Sequence, residues 1–321
     1  MNNLHKQALK ILPLAVGASI IALVSTRIGV EKIFELIASA NPVLIALAIA
    51  FFTTGLLLKA FVFNQLVNKL VQGIAFAEVL YVYLIGQITN ELLPTGSGEL
   101  VKIVVLEKKY KISAGKSSAI MIVQRLLDLI ALLLTAAIGA FLLGFYQGDV
   151  VRAIGIALAA VIATVFVLTN TRLIKLGFAV AEKIPIVKNK IAGLHADFEE
   201  AVNKLVRQGG LRRVLLMMAL TLAAWFFEVL TQYMLLQAFN QQPEIFLIAL
   251  VTSISWIAGT FSFLPGGIGA REFVFASLLS TLGFSFDAAF SAALLYRFLV
   301  YAVFGTGAFI GTYKITLGES K

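Results

Sequence analysis

Six stretches of this chain are apolar and long enough to cross a lipid bilayer, and this feature limits the fold more than any other. A helix of about 20 apolar residues covers the roughly 30 Å of hydrocarbon. The candidate spans are 11–26 (which needs flanking residues to reach that length), 43–66, 117–144, 151–170, 214–239 and 288–312. Of the 321 residues, 60% are hydrophobic and 13% charged, whereas soluble domains average about 45–50% and about 25%. We therefore predict an all-α polytopic membrane protein and exclude soluble enzymes and nucleic-acid-binding domains.

Two further apolar regions, 79–106 and 245–283, are interrupted by Pro and Gly, so each predicts two short helices around an irregular turn. The run from Val79 to Leu92 covers only about 21 Å as a helix. This length favours a re-entrant hairpin that returns to its own side of the membrane. The second region is also interpreted as a hairpin, although 245–264 is long enough to span alone.

The distribution of Lys and Arg sets the predicted orientation, because cytoplasmic loops collect these residues. With the N-terminus inside and both broken regions as hairpins, the inside segments hold 19 Lys and Arg residues and the outside segments hold three. Both termini are then predicted to be cytoplasmic, and the protein is predicted to lie in the cell membrane. The formal net charge of +9 is explained by this asymmetry, so no nucleic-acid partner is expected.

The cytoplasmic segment 171–213 contains apolar residues at helical spacing, with basic residues between them. They are Ile191, Leu194, Phe198, Val202 and Leu205. This pattern predicts an amphipathic helix on the anionic inner surface of the membrane. A solvated linker helix is the alternative.

The two broken regions resemble each other. Both contain L-P-x-G-x-G, with the turn residues Pro94, Gly96 and Gly98 in the first copy and Pro265, Gly266, Gly267 and Gly269 in the second. Arg125 follows Pro94 by 31 residues and Arg297 follows Pro265 by 32 residues. We predict an inverted repeat, with units at about 79–144 and 245–313 in a single integral membrane domain (1–321), as in many secondary transporters.

Nine ionisable residues fall inside the apolar spans or hairpins. They are Lys59, Glu91, Glu99, Arg125, Asp128, Glu228, Arg271, Glu272 and Arg297. An unpaired charge at the centre of a transmembrane helix costs about 2.5–3.5 kcal/mol on insertion scales. The nine side chains must therefore pair with one another or line a hydrated cavity.

Some of these charges have simpler explanations than function. Arg125 and Asp128 stand three residues apart on one helix and can form a mutual ion pair. Glu99 and Glu272 fall in the first turn of a helix, where the helix dipole stabilises a carboxylate. Lys59 is expected to snorkel toward a membrane surface, and Glu91 and Glu228 are left unassigned.

Arginine binds phosphate and a carboxylate binds an amine, so the buried charges suit an amphoteric guest such as a phospholipid headgroup. The candidate site residues are Glu99, Arg125, Asp128, Arg271, Glu272 and Arg297, of which Arg271 and Arg297 carry the strongest expectation. The chain has no cysteine, and its two histidines lie outside the apolar runs. We therefore expect no metal, no cofactor and no nucleophilic catalysis.

The motifs resemble those of the lysylphosphatidylglycerol synthase transmembrane-region family. The resemblance runs from about residue 10 to 313 and rests on four motifs: P-x-G-x-G-E-x-x-[RK] (94–102), R-x-x-D (125–128), P-G-G-x-G-x-R-E (265–272) and L-L-Y-R (294–297). The family includes the flippase half of the MprF-type aminoacyl-phospholipid proteins. Members often have Glu where this chain has Gln124, and Arg where it has Lys102.

The resemblance implies a domain that moves phospholipids between leaflets. We expect a translocase for a phospholipid with a charged or amino-acid-modified headgroup, or for a polyprenyl-phosphate lipid. Its expected partners are membrane phospholipids. A separate lipid-modifying enzyme is a further candidate partner. No aminoacyl-transfer domain is seen in the 321 residues, so we do not expect the chain to make the modified lipid. The alternatives are an accessory subunit of a separate lipid synthase or glycosyltransferase, and an enzyme acting on a lipid headgroup. The sequence does not indicate the oligomeric state.

Overall fold

Helices form every regular element in the described part of the protein. A computed structural model describes residues 3–93, 96–144, 194–208 and 210–317, with isolated positions between 148 and 176. The helices are α1 (Asn3–Ile28), α2 (Val30–Ser39), α3 (Pro42–Leu70), α4 (Phe76–Leu92), α5 (Ser97–Tyr110), α6 (Ala114–Leu142), α7 (Leu194–Val202), α8 (Leu211–Ala238), α9 (Ile245–Phe261), α10 (Ala270–Thr281) and α11 (Phe286–Leu317). The all-α prediction is confirmed for these residues.

Four of the described helices are long and apolar enough to cross a membrane. They are Pro42–Leu70, Ala114–Leu142, Arg212–Ala238 and Phe286–Lys314. They coincide with the predicted spans 43–66, 117–144, 214–239 and 288–312. The predicted span 11–26 lies within α1, whose apolar stretch, Ala15–Ile28, is shorter than any of these four helices. Apart from isolated positions, 151–170 lies outside the described residues.

The chain breaks into helix pairs where Pro and Gly interrupt the apolar runs. In the first pair, α4 ends at Leu92 and α5 begins at Ser97. In the second pair, α9 and α10 are separated by a 3₁₀ turn over Pro265–Gly267. The four helices contain 17, 14, 17 and 12 residues. At 1.5 Å per residue their lengths are about 18–26 Å, less than the hydrocarbon thickness of about 30 Å.

One end of the molecule joins α2 and the start of α3 to the end of α8 and the start of α11. The Asn41 N–H donates to the Ala238 carbonyl at 3.0 Å, and Lys32 forms an ion pair with Asp287. The Asn41 side chain also caps α3, accepting from the Val43 N–H at 2.9 Å, as an N-cap residue before a first-turn proline does.

Lysine and arginine side chains hold the opposite end together. Arg213 donates to the Gln65 carbonyl at 2.8 Å, and Lys109 lies 3.7 Å from Glu78. Because Arg213 lies at the start of α8 and Gln65 near the end of α3, these two antiparallel helices both run from one end to the other. The described ends thus form two separate polar surfaces with the apolar helices between them.

The amphipathic pattern in 194–208 serves internal packing, so the predicted membrane-surface helix is wrong for these residues. Phe198, Val202 and Leu205 are buried, and α7 packs against α6. Gly115 of α6 permits this contact, because a Cβ there would lie 2.6 Å from the Leu194 carbonyl oxygen. Only the apolar face is buried: Glu200 on the polar face is exposed, so the helix is solvated on one side. Ile191 and the rest of 171–193 lie outside the described residues, apart from position 176.

An ion-pair network joins the polar side of α7 to α6. Glu200 lies 2.6 Å from Lys204 and 3.1 Å from Lys116. Hydrogen bonds from Lys204 and Lys116 lower the pKa of the exposed Glu200 carboxyl. A lowered carboxyl pKa means that this contribution to stability is present at neutral pH and is lost as the pH falls through the lowered pKa.

Candidate functional site

The first charged cluster (Glu99, Lys102, Arg125 and Asp128) lies where α5 meets α6. Arg125 is the twelfth residue of α6, about 16 Å along the helix from its first residue, so it lies well inside a helix that is long and apolar enough to span a membrane. Its Nη2 donates to Glu99 Oε1. The Arg125 side chain is 54% exposed. This guanidinium therefore lies on an accessible face of the protein.

Glu99 is held in place by the turn between α4 and α5. Asn90 donates from Nδ2 to Glu99 Oε1 at 3.2 Å, and its Oδ1 accepts from the Gly98 N–H at 2.8 Å. Gly98 brings the two helices together, because a Cβ there would overlap the Gly86 carbonyl oxygen. Gly96 has φ +93°, in the left-handed region that favours glycine. The predicted turn residue Pro94 lies outside the described residues.

Lys102 is fully buried beneath the same cluster. Its Nζ lies 3.8 Å from Glu99 Oε1 and donates to Gln124 Oε1 at 3.5 Å. The ammonium also lies 5.3 Å from the Phe63 ring centre and 5.6 Å from that of Tyr83. Lys102 and Gln124, the two positions that depart from the family pattern, thus contact each other, so the two differences belong to one interaction.

Asp128 does not pair with Arg125, so the predicted mutual ion pair is wrong. Arg125 reaches across to Glu99 on α5 instead, because its long side chain spans the gap between adjacent helices. Asp128 is half-buried, and within the described residues no cationic side chain lies within 4 Å of it. Its carboxylate therefore remains available to a cationic group from outside the chain.

The second charged cluster (Glu91, Arg271, Glu272 and Arg297) is enclosed. Arg297 donates from Nε to Glu272 Oε1 at 2.6 Å, and its Nη2 lies 2.5 Å from the same oxygen. Nη1 donates to Glu91 Oε2 at 3.3 Å. The Arg297 side chain is 5% exposed and that of Glu272 is 1% exposed. The guanidinium is thus surrounded by protein acceptors.

The turn between α9 and α10 is built around this cluster. Arg297 Nη2 also donates to the Gly266 carbonyl at 3.1 Å, and Glu272 Oε2 accepts from the Gly269 N–H at 2.7 Å. Glu272 therefore caps α10 and pairs with Arg297 at the same time. Gly266 has φ +55°, and a Cβ there would overlap the Glu91 carboxylate. Pro265 and Gly267 complete the buried turn.

Arg271 lies beside Glu272 but is held mainly by aromatic rings. Its guanidinium carbon is 4.3 Å from the Trp256 ring centre and 4.8 Å from that of Tyr296. Arg271 Nε lies 4.0 Å from Glu272 Oε1. The side chain is buried, so its charge depends on cation–π contacts and on a carboxylate that Arg297 already occupies.

The end of α4 joins the two clusters, because Asn90 contacts the first and Glu91 the second. Sequence reasoning left Glu91 unassigned and passed over Asn90, although a polar pair next to a helix break was a usable signal. Among the described residues, no group of three His, Cys, Asp or Glu side chains is placed to hold a metal.

A cavity of about 40 Å³ lies between the clusters. It is lined by Tyr83, Glu91, Glu228 and Tyr296 together with Lys59. Lys59 Nζ lies 4.2 Å from the Trp225 ring centre, so the predicted snorkelling of Lys59 to a membrane surface is wrong. The face of an indole ring attracts an ammonium group, so the half-buried Lys59 side chain has a favourable contact inside the protein. This cavity is roomy and polar enough for water.

The clusters occupy equivalent positions in the two halves. Glu99 is the third residue of α5 and Glu272 the third residue of α10, while Arg125 and Arg297 are each the twelfth residue of the following helix. Each of these glutamates pairs with the arginine of its own half. The same local geometry thus occurs in an exposed and in an enclosed version.

Comparisons with known proteins agree with the motifs. UPF0104 membrane protein PH1989 of Pyrococcus horikoshii is 24% identical over 91% of this chain and 93% of its own length. A UPF0104 membrane protein of Methanothermobacter thermautotrophicus is 24% identical over 92% of each chain. The similar protein MJ1078 of Methanocaldococcus jannaschii is 25% identical over 72% of this chain and 97% of its own length. The family model described as lysylphosphatidylglycerol synthase TM region matches residues 10–307. This membrane protein therefore belongs to the lysylphosphatidylglycerol synthase transmembrane-region family.

Proposed function

We propose that this protein is a lipid translocase whose first charged cluster receives the headgroup of a phospholipid. The observation that carries the proposal is the position of Arg125: a guanidinium well inside an apolar helix long enough to span a membrane, 54% exposed and held by Glu99. An exposed charge in a membrane span is costly unless it lines a polar path. Membership of a family whose description refers to lysylphosphatidylglycerol supports a function connected with membrane lipids.

The charge balance of the first cluster favours an amphoteric headgroup. Lys102 and Arg125 offset Glu99 and Asp128, so the site has no net charge to attract a purely anionic or purely cationic lipid. Arg125 suits a phosphate, and Asp128 has no cationic partner among the described residues. Side chains three residues apart on a helix are about 5–6 Å apart at Cβ. An ethanolamine-like headgroup, with its phosphate on Arg125 and its ammonium on Asp128, suits this arrangement.

We assign the second cluster a different role in the same process. Arg297 has protein acceptors on Nε, Nη1 and Nη2, so it has little capacity left for a phosphate. Because Glu91 belongs to the first helix pair and Gly266 to the second, Arg297 fastens the two pairs together. The second cluster is proposed as a brace that the headgroup does not enter in this conformation.

The proposed membrane arrangement has two re-entrant hairpins, α4–α5 and α9–α10, in an inverted repeat with both termini cytoplasmic. Short helices support the hairpins, and the grouping of basic residues at one end supports the orientation. The protein contains no cysteine, so single-cysteine variants test this directly in cells. A membrane-impermeant maleimide should label Glu31→Cys from outside and Lys108→Cys only after permeabilisation. Labelling of both from outside would contradict the arrangement.

Leaflet transfer in proteoliposomes tests the translocase. Lipids with anionic, zwitterionic and cationic headgroups, and a polyprenyl phosphate, are each followed with an impermeant headgroup reagent. The zwitterionic lipid should move fastest. Arg125→Gln and Asp128→Asn should each slow it about 10- to 100-fold, because a hydrogen bond to a charged group contributes about 1.5–3 kcal/mol. Arg27→Gln, at an exposed arginine in the last turn of α1, is the matched control.

Transfer that is unchanged in Arg125→Gln and Asp128→Asn would remove the headgroup site from the first cluster. Folded protein that transfers none of the lipids would favour an accessory subunit of a separate lipid-modifying enzyme, to be sought by co-purification. Appearance of a chemically new lipid in the same vesicles would instead indicate an enzyme.

A further inference from the structure

Glu91, at the end of α4, lies between the second charged cluster and the cavity of about 40 Å³. Its Oε2 accepts from Arg297 Nη1 at 3.3 Å. Its Oε1 has no hydrogen-bond donor among the described residues and is not fully enclosed. The cavity has room for more than one water molecule. Glu91 thus has one oxygen on an arginine and a second oxygen that cavity water can reach.

Glu272 and Glu91 hold Arg297 unequally. Glu272 Oε1 lies 2.6 Å from Arg297 Nε and 2.5 Å from Nη2, whereas Glu91 Oε2 lies 3.3 Å from Nη1. Hydrogen bonds between an arginine and a carboxylate are usually about 2.7–2.9 Å long. Burying an ionised carboxylate is costly, and a proton removes that cost. Glu91 is therefore the carboxylate of this cluster that can release Arg297 by taking a proton.

The helices packed against α4 present charged or titratable groups to Glu91. They are Lys59 of α3, Glu228 of α8, Arg271 and Glu272 of α10, and Tyr296, Arg297 and Tyr301 of α11, with Tyr83 on α4 itself; Glu99 and Lys102 of α5 lie on the side of Asn90, in the first cluster. Around the cavity and the second cluster, three described cations balance three described carboxylates, Glu91 included. A proton on Glu91 therefore leaves one positive charge in excess.

A phosphate group can restore this balance. When Glu91 Oε1 takes a proton from cavity water, the carboxyl group becomes neutral and its ion pair with Arg297 ends. Arg297 Nη1 is then available to another acceptor, and a guanidinium binds phosphate well. A buried charge needs compensation, so the phosphate takes over the negative charge that Glu91 has lost. Binding of the proton and binding of the phosphate then favour each other, because such coupling is reciprocal.

The end of α4 connects this event to the first charged cluster. The neighbouring residue, Asn90, donates to Glu99 at 3.2 Å, and Glu99 pairs with Arg125. A movement of the end of α4 that separates Glu91 from Arg297 therefore also changes the support of the open site. One short segment, Asn90 and Glu91, contacts both clusters.

We propose that Glu91 carries a proton that crosses the membrane together with the lipid, one proton for each headgroup. With Glu91 ionised, its pair with Arg297 holds the two helix pairs together and the phosphate is confined to Arg125. With Glu91 protonated, Arg297 accepts the phosphate. The inference rests on the proposed lipid transport, and it identifies a difference in pH across the membrane as the source of energy.

Accumulation of a tracer lipid in proteoliposomes tests the coupling. The full chain is reconstituted with a trace of labelled zwitterionic phospholipid, a difference of about one pH unit is imposed, and potassium with valinomycin holds the membrane potential at zero. One proton per lipid then corresponds to a ratio of about tenfold between the leaflets. The wild type should approach this ratio, with the lipid gathered in the leaflet on the alkaline side. Without the pH difference the ratio should stay near one.

Four variants locate the coupling. Glu91→Gln should still move the lipid but should leave its ratio near one at any pH difference. Glu91→Asp retains a carboxyl group and should accumulate the lipid. Glu228→Gln removes the other carboxylate of the cavity, and Glu78→Gln removes an exposed one in the first turn of the same helix; both should accumulate the lipid as the wild type does. Transport without accumulation in the wild type, or accumulation in Glu91→Gln, would overturn the proposal.

Infrared spectroscopy of the purified chain separates this inference from the proposed transport. A protonated carboxyl group in apolar surroundings absorbs at a higher frequency than one in water. In Glu228→Gln, such a band should grow as the pH falls, and it should be missing when Glu91→Gln is added. If that double variant does not fold, Glu91→Asp should shift the band instead. The band in a protein that moves no lipid would keep the proton site and remove the transport, whereas a band unaffected by the Glu91 changes, or no band, would overturn the site.

Discussion

The two charged clusters show how one arrangement of residues can serve two purposes. Both contain a third-residue glutamate paired with a twelfth-residue arginine, yet the Arg125 side chain is 54% exposed and the Arg297 side chain 5% exposed. The difference comes from their neighbours. Glu91 and the Gly266 carbonyl close around Arg297, whereas Arg125 has Glu99 on one side and an open face on the other. Exposure therefore separates a site that can receive a ligand from one that holds the helices together.

The largest expected difference between the clusters is in stability. Arg297→Gln leaves Glu272 and Glu91 buried without their cation, and breaking a buried pair from one side costs about 3–5 kcal/mol. Arg125→Gln breaks an exposed pair, which costs about 0–1 kcal/mol. We expect the Tm to fall by about 10 °C for Arg297→Gln and by less than about 3 °C for Arg125→Gln.

Thermal unfolding of both variants in the same detergent measures this difference. Glu272→Gln combined with Arg297→Gln should be less destabilised than the sum of the two single changes, because the double variant leaves no lone charge in that pair. Equal Tm values for Arg125→Gln and Arg297→Gln would show that the ion pairs of the first and second charged clusters contribute equally to stability.

The two turns provide a second comparison. Both Gly96 and Gly266 have positive φ, so alanine is strained at either position by about 1–2 kcal/mol. At Gly96 a Cβ would meet no atom within 4 Å, while at Gly266 it would overlap Glu91. Gly266→Ala should therefore lower the Tm at least twice as much as Gly96→Ala. A smaller loss at Gly266 would mean that the second turn has room to move away from α4.

Whether a feature of this protein can be predicted from its sequence depends on whether the feature is local. Apolar length located α3, α6, α8 and α11, and Pro and Gly located the breaks in 79–106 and 245–283, because these signals act along the chain. Ion pairs, in contrast, form between helices that are distant along the chain. The spacing in the sequence predicted a pair of Arg125 with Asp128, but the guanidinium contacts Glu99 on the neighbouring helix. In the same way, periodicity identified the apolar face of 194–205 without showing that α6 covers it.

Lys59 tests the region between the clusters. Its ammonium lies over Trp225 at 4.2 Å and lines the cavity that Glu91 and Glu228 share. Lys59→Met keeps the stem and removes the charge, so it loses a cation–π contact of about 1–2 kcal/mol at a half-buried side chain. We expect a Tm about 2–8 °C lower. Lys69→Met, in the last turn of the same helix, is the control and should leave the Tm within about 1 °C. A Tm for Lys59→Met equal to that control would mean that the ammonium lies in water after all.

The smallest expected effect concerns which lipid headgroup the first charged cluster prefers. Gln124→Glu adds a carboxylate beside Lys102, whose Nζ already contacts Gln124 at 3.5 Å. The contact between Lys102 and the new carboxylate becomes an ion pair, and the net charge of the first cluster changes from neutral to −1. Transfer of a cationic headgroup should then gain several-fold relative to a zwitterionic one, while the Tm changes little. Competition between the two lipids in one vesicle population measures the ratio, with Gln87→Glu, at the cavity between the clusters, as the control. An unchanged ratio would show that the headgroup does not sense the charge of this cluster, and the open face of Arg125 would then need another explanation.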